Sequence, residues 1–134
     1  MSSVLWLALG GAVLAIVYGW ISSNQILSLS AGNERMQEIS KYIAEGAMAF
    51  LKAEWKILSY FVIIVAILLA VMAQSNPDSH WSIALAFVVG AVFSATAGYI
   101  GMRAATKANV RTAQAARTSL AKALNVSFGG GSVM

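Results

Sequence analysis

The chain has 134 residues, of which 59% are hydrophobic and only 10% are charged, and its net charge is +4. Soluble domains carry roughly 25% charged residues, so this composition excludes an ordinary soluble enzyme and is typical of a membrane protein. The sequence contains no cysteine, which excludes disulfides and thiolate metal sites.

Three long apolar stretches dominate the chain, and none of them contains Lys, Arg, Asp or Glu. They are Val4–Ile21, Ile57–Ala73 and Ile83–Met102. Each has about 17–20 residues, and at a helical rise of ~1.5 Å per residue this length matches a hydrocarbon core of ~30 Å. We therefore predict an all-α integral membrane protein with three transmembrane helices. The first stretch lacks the basic flank of a secretory signal peptide, so we expect it to remain in the mature protein.

The basic residues are confined to two segments, 22–56 and 103–134, whereas residues 1–3 and 74–82 contain none. The positive-inside rule therefore predicts that both segments are cytoplasmic and that the N-terminus lies outside the cell membrane. The basic residues are Arg35, Lys41, Lys52, Lys56, Arg103, Lys107, Arg111, Arg117 and Lys122.

The segment that precedes the second stretch has the pattern of a helix. Asn33 is a suitable N-cap, and Glu34 suits the positive end of a helix. Apolar residues then recur every three or four positions up to Phe50, and no helix breaker follows before Ile57. We predict one helix over Asn33–Ala73, about half of which extends beyond the bilayer.

The third stretch continues into an alanine-rich sequence with no Gly or Pro before Gly129, which predicts that its helix also extends beyond the membrane. On one continuous helix, the last five basic residues would fall within an arc of ~140° and form a basic stripe. We interpret this stripe first as a solvated face that fixes the topology. The alternatives are pairing with acidic groups elsewhere, steering of an anionic substrate and contact with anionic lipid. The five residues are Arg103, Lys107, Arg111, Arg117 and Lys122.

Small residues mark two places where helices could pack closely. Gly90, Ser94 and Gly98 are spaced four apart, and this spacing predicts that the third span lies inside a helix bundle. The glycine run 129–131 indicates either a flexible joint or close packing. It is not a P-loop, because no Lys-Ser/Thr pair follows it.

No arrangement of residues suggests catalysis. His80 is the only histidine, and we interpret it as a solvated loop residue. The glutamates of the first cytoplasmic segment do not converge, and a magnesium site that holds phosphates needs several carboxylates together. We therefore predict no catalytic, cofactor-binding or metal-binding residue in this chain. The glutamates are Glu34, Glu38, Glu45 and Glu54.

Three segments, Gly32–Leu58, Gly98–Arg117 and Leu124–Met134, resemble the N-terminal region of membrane-bound, ion-translocating pyrophosphatases. The resemblance rests on motifs such as Glu34-Arg35-Met36, Ala108-Asn109-Val110-Arg111 and Gly130-Gly131-Ser132-Val133-Met134. It implies a homodimeric pump that hydrolyses pyrophosphate at a cytoplasmic Mg²⁺ site and moves H⁺ or Na⁺ outward, with K⁺ dependence in some members. The implied partners are the lipid bilayer and pyrophosphate, and no nucleic acid.

The catalytic motifs of that family are missing from this sequence. We therefore expect residues 1–134 to be an N-terminal fragment of one multi-span membrane domain, with spans one to three and the start of a fourth near Ser132–Met134. The resemblance implies that the full-length protein is an enzyme, whereas the fragment alone is expected to be inactive. The alternative is a small stand-alone membrane protein with a structural or accessory role.

The topology can be tested with single cysteines at Ser3, Ser79 and Ser119 and a membrane-impermeant thiol reagent applied to intact cells. The all-or-none distribution of basic residues predicts that Ser3→Cys and Ser79→Cys react, whereas Ser119→Cys does not. Labelling of Ser119→Cys without labelling of Ser79→Cys would overturn the predicted topology.

Overall fold

The computed structural model describes residues 2–75 and 80–134, except for the side chain of Ser2. Over these residues the chain forms α1 (Ser2–Leu27), α2 (Glu34–Ser75), α3 (Ser82–Ala116) and α4 (Leu120–Val133), and it contains no strand there. The predicted all-α fold is confirmed. Most of the loop between α2 and α3, including Pro77 and Asp78, lies outside the described residues.

The three predicted spans lie within the three long helices. By length and composition, α1, α2 and α3 are each long and apolar enough to cross a membrane. The large side chains of these helices are exposed on the outside of the chain; Leu7, for example, is 76% exposed and Phe93 is 71% exposed. Such exposure suits a lipid environment, so the chain is a multi-pass membrane protein.

The turn before α2 is closed by local hydrogen bonds. Gly32 has a φ of 81°, in the left-handed region that favours glycine. The side-chain oxygen of Asn33 accepts a hydrogen bond from the backbone N–H of Met36 at 2.9 Å, and the Gln37 amide donates to the carbonyl of Gly32 at 3.0 Å. Asn33 is therefore the N-cap of α2, as predicted. The prediction of one long helix is also confirmed, since α2 contains 42 residues.

The prediction of one continuous helix after Met102 is wrong, because α3 ends at Ala116. The N–H of Thr118 bonds back to the carbonyl of Ala115 at 3.0 Å and tightens the last turn. Ser119 is then extended, with φ −163° and ψ 151°, and its hydroxyl accepts a hydrogen bond from the N–H of Lys122. A serine N-cap thus starts a new helix without any glycine or proline.

This break also overturns the predicted five-residue basic stripe. Arg117 lies in the turn after α3, and Lys122 lies on α4. Only Arg103, Lys107 and Arg111 remain together on α3, at spacings of four residues.

The chain divides into two compact units, residues 1–44 with 101–134 and residues 45–100. Most of the buried positions belong to the first unit, in which α1 packs against α4. They are Ser22, Ile26, Gly101, Thr106, Ala108, Val110, Ala123, Val126 and Gly130. In the second unit, the described residues that are buried are Leu51 and Ala73.

The glycine run on α4 is a site of close packing, the second of the two interpretations given above. A Cβ atom added at Gly130 would lie 2.5 Å from the Cβ of Ala108 on α3. One added at Gly129 would lie 3.5 Å from Cδ1 of Ile26 on α1. Since α4 runs through all three glycines, the run is not a flexible joint.

Two neighbouring glycines provide a matched test of this packing. Gly130→Ala should lower the free energy of unfolding by about 1–3 kcal/mol, because its methyl group would overlap Ala108. Gly131→Ala should raise it by up to about 1 kcal/mol, since a Cβ there meets no atom within 4 Å and alanine favours the helix. Thermal melting of the chain in detergent, followed by circular dichroism, measures both effects. Equal destabilisation by both substitutions would contradict the assigned contact.

Candidate functional site

The described carboxylates do not converge on one point. All four glutamates lie along α2, and Glu38 is engaged locally by the Arg35 guanidinium at 2.7 Å and the Tyr42 hydroxyl at 3.1 Å. Among the described residues, no group of three or more histidine or acidic side chains could hold a metal ion. This donor set does not fit a magnesium–pyrophosphate site, which needs several converging carboxylates. The predicted absence of catalytic and metal-binding residues from the whole chain stays a prediction.

His80 lies at the start of α3. Its Nδ1 accepts a hydrogen bond from the backbone N–H of Ser82 at 3.3 Å and lies 3.0 Å from the Ser82 hydroxyl. The imidazole also lies beside the ring of Trp81, with 5.6 Å between the ring centroids. These contacts cap the first turn of α3, which agrees with a local role for this exposed histidine.

The side chain of Arg111 on α3 donates hydrogen bonds to three backbone carbonyls. Its Nε donates to the carbonyl of Leu29 at 3.1 Å, and its Nη2 donates to the carbonyl of Leu27 at 3.2 Å. Its Nη1 donates to the carbonyl of Lys107, one turn earlier on α3, at 2.8 Å. Leu27 is the last residue of α1, so its carbonyl is one of those that a helix C-terminus leaves without a partner.

Gln114, one turn after Arg111, lies against the same connection between α1 and α2. A Cβ at Gly32 would lie 3.0 Å from its Oε1 and 2.6 Å from Sδ of Met36. Its Oε1 is buried and accepts no hydrogen bond. We call Leu27, Leu29, Gly32, Arg111 and Gln114 the α1 cap cluster. The sequence alone gave no signal for it, because Arg111 is separated from its carbonyl partners by 82 and 84 residues.

A second polar contact joins α1 to α4. The hydroxyls of Tyr18 and Ser132 lie 3.1 Å apart, and the Ser132 hydroxyl donates to the carbonyl of Gly129 at 2.8 Å. The Tyr18 hydroxyl is therefore the donor to Ser132. Ser22, one turn after Tyr18 on α1, is only 8% exposed. A hydrogen bond between side chains of two membrane helices, such as that between Tyr18 and Ser132, contributes about 0.6 kcal/mol to their association.

The second unit contains an open, mostly apolar groove of about 670 Å³ between α2 and α3. Trp55 lines it, and its ring lies 5.9 Å from that of Tyr99, centroid to centroid. Ser94 and Gly98, two of the three predicted small-residue positions, line the α3 side, and a Cβ at Gly98 would meet no atom within 4 Å. The small face is thus open in this chain, and its packing inside a larger bundle stays a prediction.

The protein family of this chain follows from its sequence. The sequence profile of the family described as inorganic H⁺ pyrophosphatase matches residues 13–134. The chain belongs to this family. The match includes the α1 cap cluster, the glycine run of α4 and both helices that line the groove.

This member of the inorganic H⁺ pyrophosphatase family is similar to several curated proteins. It is 50% identical over 133 residues to a protein of Clostridium tetani that is named for a K⁺-stimulated pyrophosphate-energised sodium pump; the match covers 99% of this chain and 19% of the relative. It is 43% identical over 123 residues to the K⁺-stimulated pyrophosphate-energised sodium pump of Thermotoga maritima; the match covers 89% of this chain and 16% of the relative. It is 42% identical over 123 residues to a K⁺-insensitive pyrophosphate-energised proton pump of Moorella thermoacetica; the match covers 92% of this chain and 17% of the relative. The chain therefore spans less than one fifth of the length of these relatives.

The 134-residue chain by itself is expected not to hydrolyse pyrophosphate, because its described acidic residues are distributed along one helix and do not converge on a common point. The measurement is magnesium-dependent phosphate release by the purified chain in liposomes, with a control for contaminating soluble pyrophosphatase. Turnover that is abolished by Glu34→Gln or Glu38→Gln would contradict this expectation.

Proposed function

We propose that this chain is the N-terminal membrane part of a pyrophosphate-energised ion pump, which hydrolyses pyrophosphate at a cytoplasmic site and moves H⁺ or Na⁺ outward. The observation that carries the proposal is the family match over residues 13–134. The relatives' names, which describe sodium and proton pumps energised by pyrophosphate, and the three apolar helices support it.

In this proposal the chain supplies scaffold, and the chemistry resides in the rest of the pump. Bound magnesium would neutralise the charge of pyrophosphate and polarise its phosphoryl oxygens. The described carboxylates, spread along α2, do not converge, and this supports the proposal that the magnesium ligands belong to parts of the pump outside residues 1–134. The part of α2 from Glu34 to Lys56, about 35 Å long at ~1.5 Å per residue, would extend from the membrane beside that site.

The proposed topology has the N-terminus outside and segments 22–56 and 103–134 in the cytoplasm. It is supported by the confinement of the basic residues to these two segments. On this side of the membrane, exposed basic residues such as Lys107 and Arg117 would raise the local concentration of an anionic substrate.

Two further properties belong to the proposal. K⁺ stimulation is supported by the names of the Clostridium tetani and Thermotoga maritima relatives, and a homodimeric assembly is implied by the family resemblance. Both are properties of the whole pump, and both can be measured on it.

The test uses the full-length protein that contains this chain, in inverted membrane vesicles supplied with Mg²⁺ and pyrophosphate. We expect phosphate release accompanied by ion uptake, since outward transport in the cell becomes inward transport in such vesicles. A protonophore should abolish primary H⁺ uptake, whereas a sodium ionophore should abolish primary Na⁺ uptake. A non-hydrolysable diphosphonate serves as the matched control and should give no uptake. Phosphate release without uptake of either ion in sealed vesicles would refute the pump.

A further inference from the structure

The C-terminal end of α1 carries no cation of its own. Its last turn contains no basic residue, and the connection 28–33 to α2 contains none either. The final carbonyls of a helix carry partial negative charge and need hydrogen-bond donors. Ser28 and Leu29 donate locally to the carbonyls of Asn24, Gln25 and Ile26. The donor to the last carbonyl of α1, that of Leu27, comes from Arg111, which lies more than 80 residues further along the chain and also donates to Leu29.

We propose that Arg111 is a conformational strap: its forked guanidinium closes the C-terminal end of α1 and the connection to α2 onto α3. Two of its nitrogens hold the carbonyls of Leu27 and Leu29, and the third holds the carbonyl of Lys107 on its own helix. The last bond orients the guanidinium toward α1. Because Arg111 follows α1 by more than 80 residues, its two bonds to this end can form only once α3 is in place.

The strap depends on the shape of arginine and not only on its charge. Nε and Nη2 lie on one edge of a rigid plane and meet two carbonyls that are two residues apart in sequence. A lysine ammonium is a point charge on a flexible stem and cannot reproduce this fork. All three guanidinium nitrogens of Arg111 donate to backbone carbonyls. Lys107, four residues earlier on the same helix, is exposed.

The position of Ser22 provides a reporter for the strap. Ser22 is 8% exposed and precedes Ile26 by one turn, and Ile26 is 7% exposed and contacts the Gly129 position of α4. This side of α1 packs against α4. If loss of the Arg111 bonds frees the end of α1 to move away from α4 as well, Ser22 should become accessible. Asn24 lies on the exposed side of the same turn and serves as the matched control position.

The experiment uses the full-length protein in membranes, with any cysteine outside residues 1–134 replaced by serine. Ser22→Cys or Asn24→Cys is combined with Arg111→Lys, Arg111→Met or Lys107→Met, and the rate of reaction with a membrane-permeant thiol reagent is measured. Both Arg111 variants should accelerate labelling at position 22 at least about tenfold, because hydrogen bonds from a charged donor are lost. Lys107→Met should change this rate less than about twofold, and labelling at position 24 should stay constant in every variant.

A second measurement separates opening of the strap from general unfolding. A Cβ at Gly101 would lie 3.6 Å from the Cβ of Met134, a separation that suits a disulfide. In chains that carry Gly101→Cys and Met134→Cys without the reporter cysteines, Arg111→Lys should still allow this cross-link between α3 and the end of α4.

Three results would overturn the proposal. Full protection of position 22 in Arg111→Lys would show that positive charge alone is sufficient. Equal acceleration by Lys107→Met would show that the effect is not specific to Arg111. Loss of the Gly101–Met134 cross-link in Arg111→Lys would show a general collapse and not a local strap. None of these measurements requires pump activity, so their failure is distinguishable from failure of the proposed function.

Discussion

The need to satisfy backbone polar groups at helix ends explains most of the specific contacts in this chain. Long apolar helices satisfy their own interiors, but each end leaves up to four N–H or C=O groups without a partner. Asn33 supplies a partner at the start of α2, His80 at the start of α3 and Ser119 at the start of α4. At the C-terminal end of α1, Ser28 and Leu29 donate to the carbonyls of Asn24, Gln25 and Ile26. The last carbonyl, that of Leu27, receives its donor from Arg111 on α3.

A second constraint is how closely the backbones can approach. Where Gly130 meets Ala108, the absence of a side chain lets α4 lie directly on α3 in the first unit. Apolar burial contributes little attraction between helices in lipid, so close contact and a few polar bonds such as that between Tyr18 and Ser132 must hold the unit together. The second unit has small residues of the same kind on α3, but they border an open groove.

The polar side chains described above serve mainly helix ends and helix contacts. The described carboxylates are spread along α2 and do not converge. The chain spans less than one fifth of its curated relatives, and the proposed pump would draw its magnesium ligands from the remainder. In that proposal, the helices described here form part of the frame in which the catalytic groups are held.

The sequence by itself determined the helical fold, the three spans and the N-cap at Asn33, because apolar length and local capping are properties of neighbouring residues. It also carried the family motifs, of which Gly130 and Arg111 are members. The end of α3 at Ala116 could have been inferred only by weighing the Thr118-Ser119 cap against the helix propensity of the alanines around it. Only the tertiary structure decided what those motif residues do: Gly130 accommodates Ala108, and Arg111 closes α1. These contacts join residues that are far apart in sequence, and no local periodicity records which distant backbone groups will need a partner.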